Sequence, residues 1–177
     1  IDAAGNLYAT GSCDTSNSKY YLTFKYNTAG ALQWLKMYKT AETYTSTARS
    51  IKIGNSGKIY ISGEYYTAPG HFDYLTIKYN PVTGDTIWTK KYNAGVNTGD
   101  LGQVMAIDGN ENIFVSGMSY VGSYQNIHTV KYDSNGVQKW VKTYSGPGGY
   151  SDIVKDIVCD NAGNVYLTGV SDNSYFG

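Results

Sequence analysis

Hydrophobic and polar positions alternate in short runs along the chain. In the first run, Leu7 and Ala9 stand on one side of a strand-like segment and Tyr8 and Thr10 stand on the other. Successive residues of a β-strand point to opposite faces of the sheet, so both faces of this segment carry side chains that can be buried. The pattern predicts a strand packed between two neighbouring sheets.

The same runs recur at a fixed spacing. The first run ends in Gly and occurs four times, at Asn6–Gly11, Lys58–Gly63, Asn112–Gly117 and Asn164–Gly169. A second run reads Lys-Tyr, polar turn, Gly and Trp, which is typical of a β-hairpin, and it occurs three times. Its tyrosines, Tyr26, Tyr79 and Tyr132, are 53 residues apart. A fixed period of this size indicates a solenoid or a propeller.

Four strands of ordinary length account for one period. We therefore predict an all-β, propeller-type chain of four-stranded antiparallel blades, a single segment over residues 1–177. The repeat units are 1–52, 53–106, 107–158 and the partial unit 159–177, which gives about three blades and the first strand of a fourth.

We expect the first strand of each unit to lie innermost, and its closing Gly to mark a bend or a close backbone approach. The strand 164–169 is expected to lack a hairpin partner of its own. The chain begins within the motif and three blades do not close a ring, so we expect further blades in a parent chain, or neighbouring copies that cover the edges.

The pattern D-x-x-G-N-x-Y-x-T-G, followed by T-x-K-Y-x-x-x-G-x-x-x-W-x-x-x-Y, resembles the SBBP family of β-propeller repeats. The resemblance covers essentially the whole chain. It implies a seven-bladed ring of a bacterial exported protein, at the cell surface or outside the cell, and implies little about function.

The hairpins also resemble two structural motifs of other propellers. Asn80–Trp88 is similar to the docking motif of quinoprotein dehydrogenases, and Asp133–Trp140 is similar to the Asp-box of sialidases. In both families the motif locks blades together. We therefore interpret Trp34, Trp88 and Trp140 as blade-packing residues whose indole N–H groups donate to a neighbouring backbone carbonyl.

Charge and hydropathy argue against nucleic acid and membrane as partners, and the two cysteines are not expected to form a disulfide. The chain has 14 basic and 14 acidic residues, so it has no basic surface for nucleic acid, and no window is apolar enough to insert into a membrane. Cys159 stands where other units have Ile, and we interpret it as a core residue. Pairing with Cys13 is not expected, because the two occupy different positions of the repeat.

Few residues are candidates for catalysis or metal binding. Asp and Asn recur four residues apart in one turn, and their oxygens could bind calcium, but the pattern is first of all that of a β-turn. The pairs are Asp2 with Asn6, Asp108 with Asn112 and Asp160 with Asn164. His71 and His128 occupy different positions of the repeat, which favours neither a zinc site nor a Ser/His/Asp arrangement. Arg49 is an isolated, irregular arginine. We predict no catalytic residue and no cofactor.

The loops that differ between units are predicted to share one face, rich in tyrosine. The candidate binding residues there are Tyr65, Tyr66, His71, Tyr120, Tyr124 and Tyr150. We expect a non-catalytic, exported or cell-surface scaffold that presents this face to a protein or glycan, or to other copies in a surface assembly. Two alternatives stay open. One is an arc of a propeller enzyme with quinone-type or glycan-cleaving chemistry in a central funnel, and the other is a subunit of an extracellular fibre or surface layer.

Overall fold

The structure, a computed structural model, describes residues 1–15, 18–38, 46–68, 71–95, 99–160 and 162–172. These residues form thirteen β-strands and no helix, which confirms the predicted all-β class. None of them belongs to a helix that could cross a membrane. The strands are β1 (Leu7–Thr15), β2 (Ser18–Tyr26), β3 (Leu32–Tyr38), β4 (Ser46–Ile53), β5 (Ile59–Ala68), β6 (His71–Tyr79), β7 (Thr86–Tyr92), β8 (Asp100–Ile107), β9 (Ile113–Val121), β10 (Tyr124–Tyr132), β11 (Gln138–Tyr144), β12 (Asp152–Cys159) and β13 (Val165–Ser171).

The strands form four antiparallel sheets that do not follow the units of the sequence. The first sheet contains β1 to β3, the second β4 to β7, the third β8 to β11 and the fourth β12 and β13. Unit 1–52 was expected to be one blade, but its last strand, β4, pairs with β5 of the following unit. The expectation that β13 lacks a partner is also wrong, because β13 pairs with β12 along its length.

The sheets pack face to face and converge along their first strands. Strand β8 lies against β4 and β12, its counterparts in the neighbouring sheets. The last strands, β3, β7 and β11, make their main contacts within their own sheets. We predicted that β1, β5, β9 and β13 lie innermost, and this is wrong. In the second, third and fourth sheets, a strand from the end of the previous repeat unit takes the inner position. These strands are β4, β8 and β12, and they pair with β5, β9 and β13.

The second strand of each central sheet is buried on both faces, as the alternation of its residues predicts. In β5, Ile59 and Ile61 pack into a cluster with Trp34 of the first sheet. Tyr60, between them, packs on the other side with Met105 of the third sheet. The side chains of these two isoleucines, Tyr60 and Met105 are fully buried. Burial of each such side chain stabilises the fold by about 1.5–3 kcal/mol through the hydrophobic effect.

A lysine and a tryptophan of one sheet bind a single backbone carbonyl of the next sheet. Lys25 Nζ and Trp34 Nε1 both donate to the carbonyl oxygen of Pro81, at 3.1 Å each. The same contact recurs between the second and third sheets, with distances of 2.9 and 3.2 Å, and is formed by Lys78, Trp88 and Ser134. We call this arrangement the Lys–Trp clamp.

The turn that supplies the carbonyl also supplies a glycine on which the indole packs. A Cβ atom added at Gly84 would lie 2.7 Å from Cδ2 of Trp34. At Gly136 the added atom would lie 3.1 Å from Cδ2 of Trp88. Both glycines have positive φ, so the turn requires glycine for its backbone conformation as well as for the space.

The glycine that we expected to close each first run lies inside a strand. Strand β5 continues past Gly63 to Ala68. An added Cβ at Gly63 would collide with the carbonyl oxygen of Thr47 in β4, 2.0 Å away, beside the β-bulge between Ala48 and Ser50. The glycine therefore marks a close backbone approach rather than the end of a strand.

The close approach between Gly63 and Thr47 predicts that a Gly→Ala substitution changes the free energy of unfolding much more at Gly63 than at Gly11. Gly63→Ala places a methyl group against backbone atoms, and we expect it to lower the free energy of unfolding by about 2–4 kcal/mol. Gly11→Ala is the matched control: it occupies the same position of the repeat, but an added Cβ there meets nothing within 4 Å. Its effect should stay within about 0.5 kcal/mol. Denaturant unfolding followed by circular dichroism measures both, and equal effects would contradict the assignment.

Candidate functional site

The connections that vary between units lie at one end of the sheets, which we call the variable end. The β5–β6 and β7–β8 connections lie there, and the β4–β5 and β6–β7 turns lie at the opposite end. This follows from the antiparallel order, because successive strands reverse direction.

Five of the six residues predicted as a binding face are accessible near this end. Tyr120 and Tyr124 are 40% and 44% exposed. Tyr150 is partly exposed, and its ring contacts that of Tyr124 with centroids 5.3 Å apart. Tyr66 and His71 are also partly exposed and belong to the second sheet. A shared binding face for these residues stays a prediction.

Tyr65 does not belong to an exposed face. It is 3% exposed and packs in the core between the first two sheets, and its hydroxyl donates to Asp73 Oδ2 at 2.9 Å. The Lys91 ammonium lies 4.3 Å from the centre of its ring. Burial raises the pKa of Asp73, the hydrogen bond from Tyr65 opposes this shift, and the carboxylate of Asp100 adds to it. The variable end therefore covers a buried polar cluster.

His128 lies in the same region of the third sheet. It takes the position that Leu22 and Leu75 hold in the other hairpins, and it is buried there. Its Nδ1 atom is 3.0 Å from the hydroxyl of Tyr92. Burial lowers the pKa of His128, against the opposing charge of Asp100, so the neutral ring is favoured.

A half-exposed arginine stands on the inner strand β4. Arg49 is the bulged residue between Ala48 and Ser50. Its Nε donates to both carboxylate oxygens of Glu64, at 3.1 and 3.2 Å, and its Nη2 donates to Oε1 at 2.7 Å. The Glu64 side chain is 6% exposed, whereas that of Arg49 is 49% exposed. The hydrogen bond with Glu64 raises the pKa of Arg49, so the guanidinium stays charged.

The equivalent bulges of the next two inner strands also carry long polar residues. These are Gln103 in β8 and Lys155 in β12. Because β8 lies against both β4 and β12, these bulged residues occupy equivalent positions of adjacent strands. At the position that Glu64 holds beside Arg49, strands β9 and β13 have Met118 and Val170, so neither of these strands has a carboxylate there.

The Asp–Asn pairs form hydrogen-bonded turns. Asp108 Oδ1 accepts from the backbone N–H groups of Asn110 and Asn112, and Oδ2 accepts from the side-chain amide of Asn112. The same pattern holds in the turns that begin at Asp2 and Asp160. This is the geometry expected of an Asp-capped turn. In the part of the chain that the structure describes, no three His, Cys, Asp or Glu residues are grouped to hold a metal ion.

The environment of His128 predicts a pH effect on stability. Because burial lowers the pKa of His128 in the folded state, the unfolded chain binds the proton more readily, and stability is lost as the pH falls through about 6.5, the usual pKa of histidine. His128→Leu removes this linkage and restores the residue type of the other hairpins. Between pH 8 and pH 5.5 the variant should therefore lose less stability than the wild type in thermal unfolding. Equal losses in the two proteins would show that His128 is not held neutral.

Comparison with known proteins gives a likeness of fold. No protein-family model and no curated protein sequence matches the chain. Among solved structures, the chain resembles the periplasmic gluconolactonase PpgL of Pseudomonas aeruginosa, with a TM-score of 0.60 and 12% sequence identity. The match covers 93% of this chain and 47% of that one, so the chain spans about half the length of PpgL.

PpgL is a β-propeller, and the chain accordingly has a β-propeller-like, all-β fold. The number of blades and the SBBP-type repeat stay predictions. The expectation of a non-catalytic scaffold is wrong, because the solved structure that the chain resembles is that of an enzyme.

Proposed function

We propose that this chain is an arc of a β-propeller enzyme that acts on a small sugar-derived substrate with a carbonyl or carboxylate group. Arg49 binds that group at the inner strands. The observation that carries the proposal is the ion pair on β4 and β5, in which a buried carboxylate fixes a guanidinium that is still 49% exposed. A charged group that is both held in place and accessible is suited to bind an anionic ligand.

The geometry of the ion pair leaves hydrogen-bonding capacity for a ligand. A guanidinium has five N–H donors in a rigid plane. Arg49 directs Nε and Nη2 at Glu64, so both protons of Nη1 and the second proton of Nη2 are left for another acceptor. Such a planar pair of donors matches the two oxygens of a carboxylate, or a single carbonyl oxygen that gains negative charge.

Lactone hydrolysis creates this kind of charge. Attack of water on the ring ester carbonyl, with loss of one proton to the solvent, forms a tetrahedral intermediate whose oxygen is negative. The bond to the ring oxygen then breaks, and the leaving oxygen takes the remaining proton of the attacking water, so the products are a hydroxyl group and a carboxylate. A fixed positive charge beside that oxygen lowers the barrier. The name of PpgL states that it is a gluconolactonase, and this supports a sugar lactone as the substrate class.

Glycan cleavage is less well supported. That reaction normally uses two carboxyl groups on either side of the bond that breaks, one of them as an acid. The carboxylate beside Arg49 belongs to Glu64, which is 4% exposed and already bound by the guanidinium. The ion pair therefore suits oxyanion binding better than an open pair of carboxyl groups.

The substitution that tests this proposal is Arg49→Gln, which removes the charge and places the residue of the equivalent bulge in β8 on β4. With glucono-1,5-lactone as substrate, we expect kcat/KM to fall about 100-fold or more, as when one oxyanion donor is removed. Arg49→Lys keeps the charge but loses the planar pair of N–H donors. Its kcat/KM should therefore lie between those of the wild type and of Arg49→Gln.

Two further variants serve as controls. Lys52→Gln removes a positive charge from an exposed position of the same strand, and kcat/KM should stay within about twofold of the wild type. The double variant Arg49→Gln, Glu64→Met reproduces the residues of the third sheet, and it should be folded but inactive. A wild-type protein that does not accelerate lactone hydrolysis, or an Arg49→Gln variant as active as the wild type, would overturn the proposal.

We also infer that the protein is exported. PpgL is described as periplasmic, and this supports an extracytoplasmic location for the present chain. Fractionation of cells that express the native gene, with detection by antibody, tests the location. Recovery only in the cytoplasmic fraction would contradict it.

A further inference from the structure

A glutamine on the inner strands has a side chain that no neighbour binds. Gln103 is the bulged residue of β8, between Gly102 and Val104. Its side chain is partly exposed, and among the residues that the structure describes it has no hydrogen-bond partner. Strand β8 has an inner strand on either side, β4 and β12, so the open amide lies within the row of inner strands. A bulge turns its extra residue out of the ladder, which makes this amide available to a ligand.

Close packing of glycines places Gln103 beside Arg49. A Cβ atom added at Gly102, the residue before Gln103, would lie 2.8 Å from the carbonyl oxygen of Gly63. Gly63 pairs with Ala48, the residue before Arg49. Packed sheets are usually about 10 Å apart, and here two glycines let the backbones approach more closely. The two bulges are therefore neighbours, and both side chains are long enough for one small ligand to contact them.

The two side chains differ in the hydrogen bonds that they can form. A guanidinium only donates, and the N–H groups that Arg49 does not use for Glu64 suit a carbonyl oxygen. A glutamine amide also has an acceptor, its Oε1 atom, which can bind a hydroxyl proton. Lys155, at the equivalent bulge of β12, has donors only. Among these three bulged residues, Gln103 is thus the one that can accept.

A carbonyl group with a hydroxyl on the adjacent carbon matches this pair of side chains. The carbonyl oxygen accepts and the hydroxyl donates, and the two groups stand on carbons that are bonded to each other. In a sugar-derived lactone, the ring carbonyl and the hydroxyl on C2 form this unit. A neutral amide can bind the hydroxyl without competing with the guanidinium for the negative charge that develops on the carbonyl oxygen.

We propose that Gln103 makes this site specific for lactones that carry a hydroxyl on the carbon next to the carbonyl. Its Oε1 atom accepts a hydrogen bond from that hydroxyl while Arg49 donates to the carbonyl oxygen. This assignment rests on the proposed lactonase activity and narrows its substrates to 2-hydroxy lactones. Lactones without this hydroxyl bind the guanidinium and lose the second contact.

The partial exposure of Gln103 sets the size of the expected effect. A site with a fully buried hydrogen-bonding group strongly rejects a substrate that lacks the matching group, because the buried group is left unpaired. Water can still reach the amide of Gln103, so a missing hydroxyl leaves this amide hydrated rather than unpaired. We expect a preference of about tenfold for the hydroxylated lactone, the effect of one ordinary hydrogen bond.

A comparison of two substrates in two proteins tests this assignment. The substrates are glucono-1,5-lactone and 2-deoxyglucono-1,5-lactone, which differ only in the hydroxyl on C2, and the proteins are the wild type and Gln103→Leu. Leucine is of similar size and has no hydrogen-bonding group. In Gln103→Leu, kcat/KM should fall about tenfold for glucono-1,5-lactone and should change by less than about twofold for the deoxy lactone. A merely structural role of Gln103 would lower both values alike.

Two further variants separate the hydrogen bond from general effects of substitution. Gln138→Leu removes an exposed glutamine from the outer strand β11 of the same sheet, and it should leave both kcat/KM values within about twofold of the wild type. Gln103→Glu keeps the acceptor but adds a negative charge beside the developing oxyanion. It should lower kcat/KM for both lactones and retain the preference for the hydroxylated one.

The possible results separate the role of Gln103 from the proposed activity. A wild type that hydrolyses both lactones equally well overturns the role of Gln103 and leaves the lactonase proposal standing. Equal losses on both substrates in Gln103→Leu, with a folded variant by circular dichroism, also overturn it. A wild type that hydrolyses neither lactone overturns the proposed activity and this assignment together. The wild-type preference is measured without any variant, so the test does not depend on the folding of Gln103→Leu.

Discussion

The Lys–Trp clamp is the contact on which the packing of the first three sheets on one another depends. Shape and hydrophobicity alone would let two β-sheets slide or rotate over each other, but two donors on one carbonyl fix a single register. A neutral hydrogen bond contributes about 0.5–1.5 kcal/mol and one from a charged group about 1.5–3 kcal/mol, so one clamp supplies several kcal/mol of orientation-dependent stability. The clamp also explains the glycine of the accepting turn, which must leave room for the indole of Trp34 or Trp88.

Much of the fold could be predicted from the sequence, because packing constraints repeat with the period of the chain. The hairpins around Trp34, Trp88 and Trp140 and the doubly buried strand at 59–63 follow directly from alternation and spacing. The grouping of strands into sheets could not be predicted, since a period of 53 residues does not reveal where one sheet ends. That boundary is decided by pairing between β4 and β5 across a bulge, a contact with no sequence signal except Gly63.

The candidate site was predicted less well, for two physical reasons. Arg49 was visible as an irregular residue, but its partner Glu64 lies across a hairpin and could be paired with it only once the strand register was known. Divergence between units also suggests, from the sequence alone, that a residue is exposed. At Tyr65 this inference fails, because a repeat position can diverge in the core when its polar atom has a buried partner such as Asp73.

The ion pair of Arg49 and Glu64 is not required by the fold. The third sheet builds the same bulge with Gln103 and Met118, without a buried charge. Placing the carboxylate of Glu64 at 6% exposure costs desolvation energy, and pairing with a half-exposed guanidinium offsets that cost only in part. An uncharged pair of similar size would satisfy the sheet at least as well. The ion pair is therefore better explained by what it holds ready on the inner strands, a fixed and accessible guanidinium, than by stability.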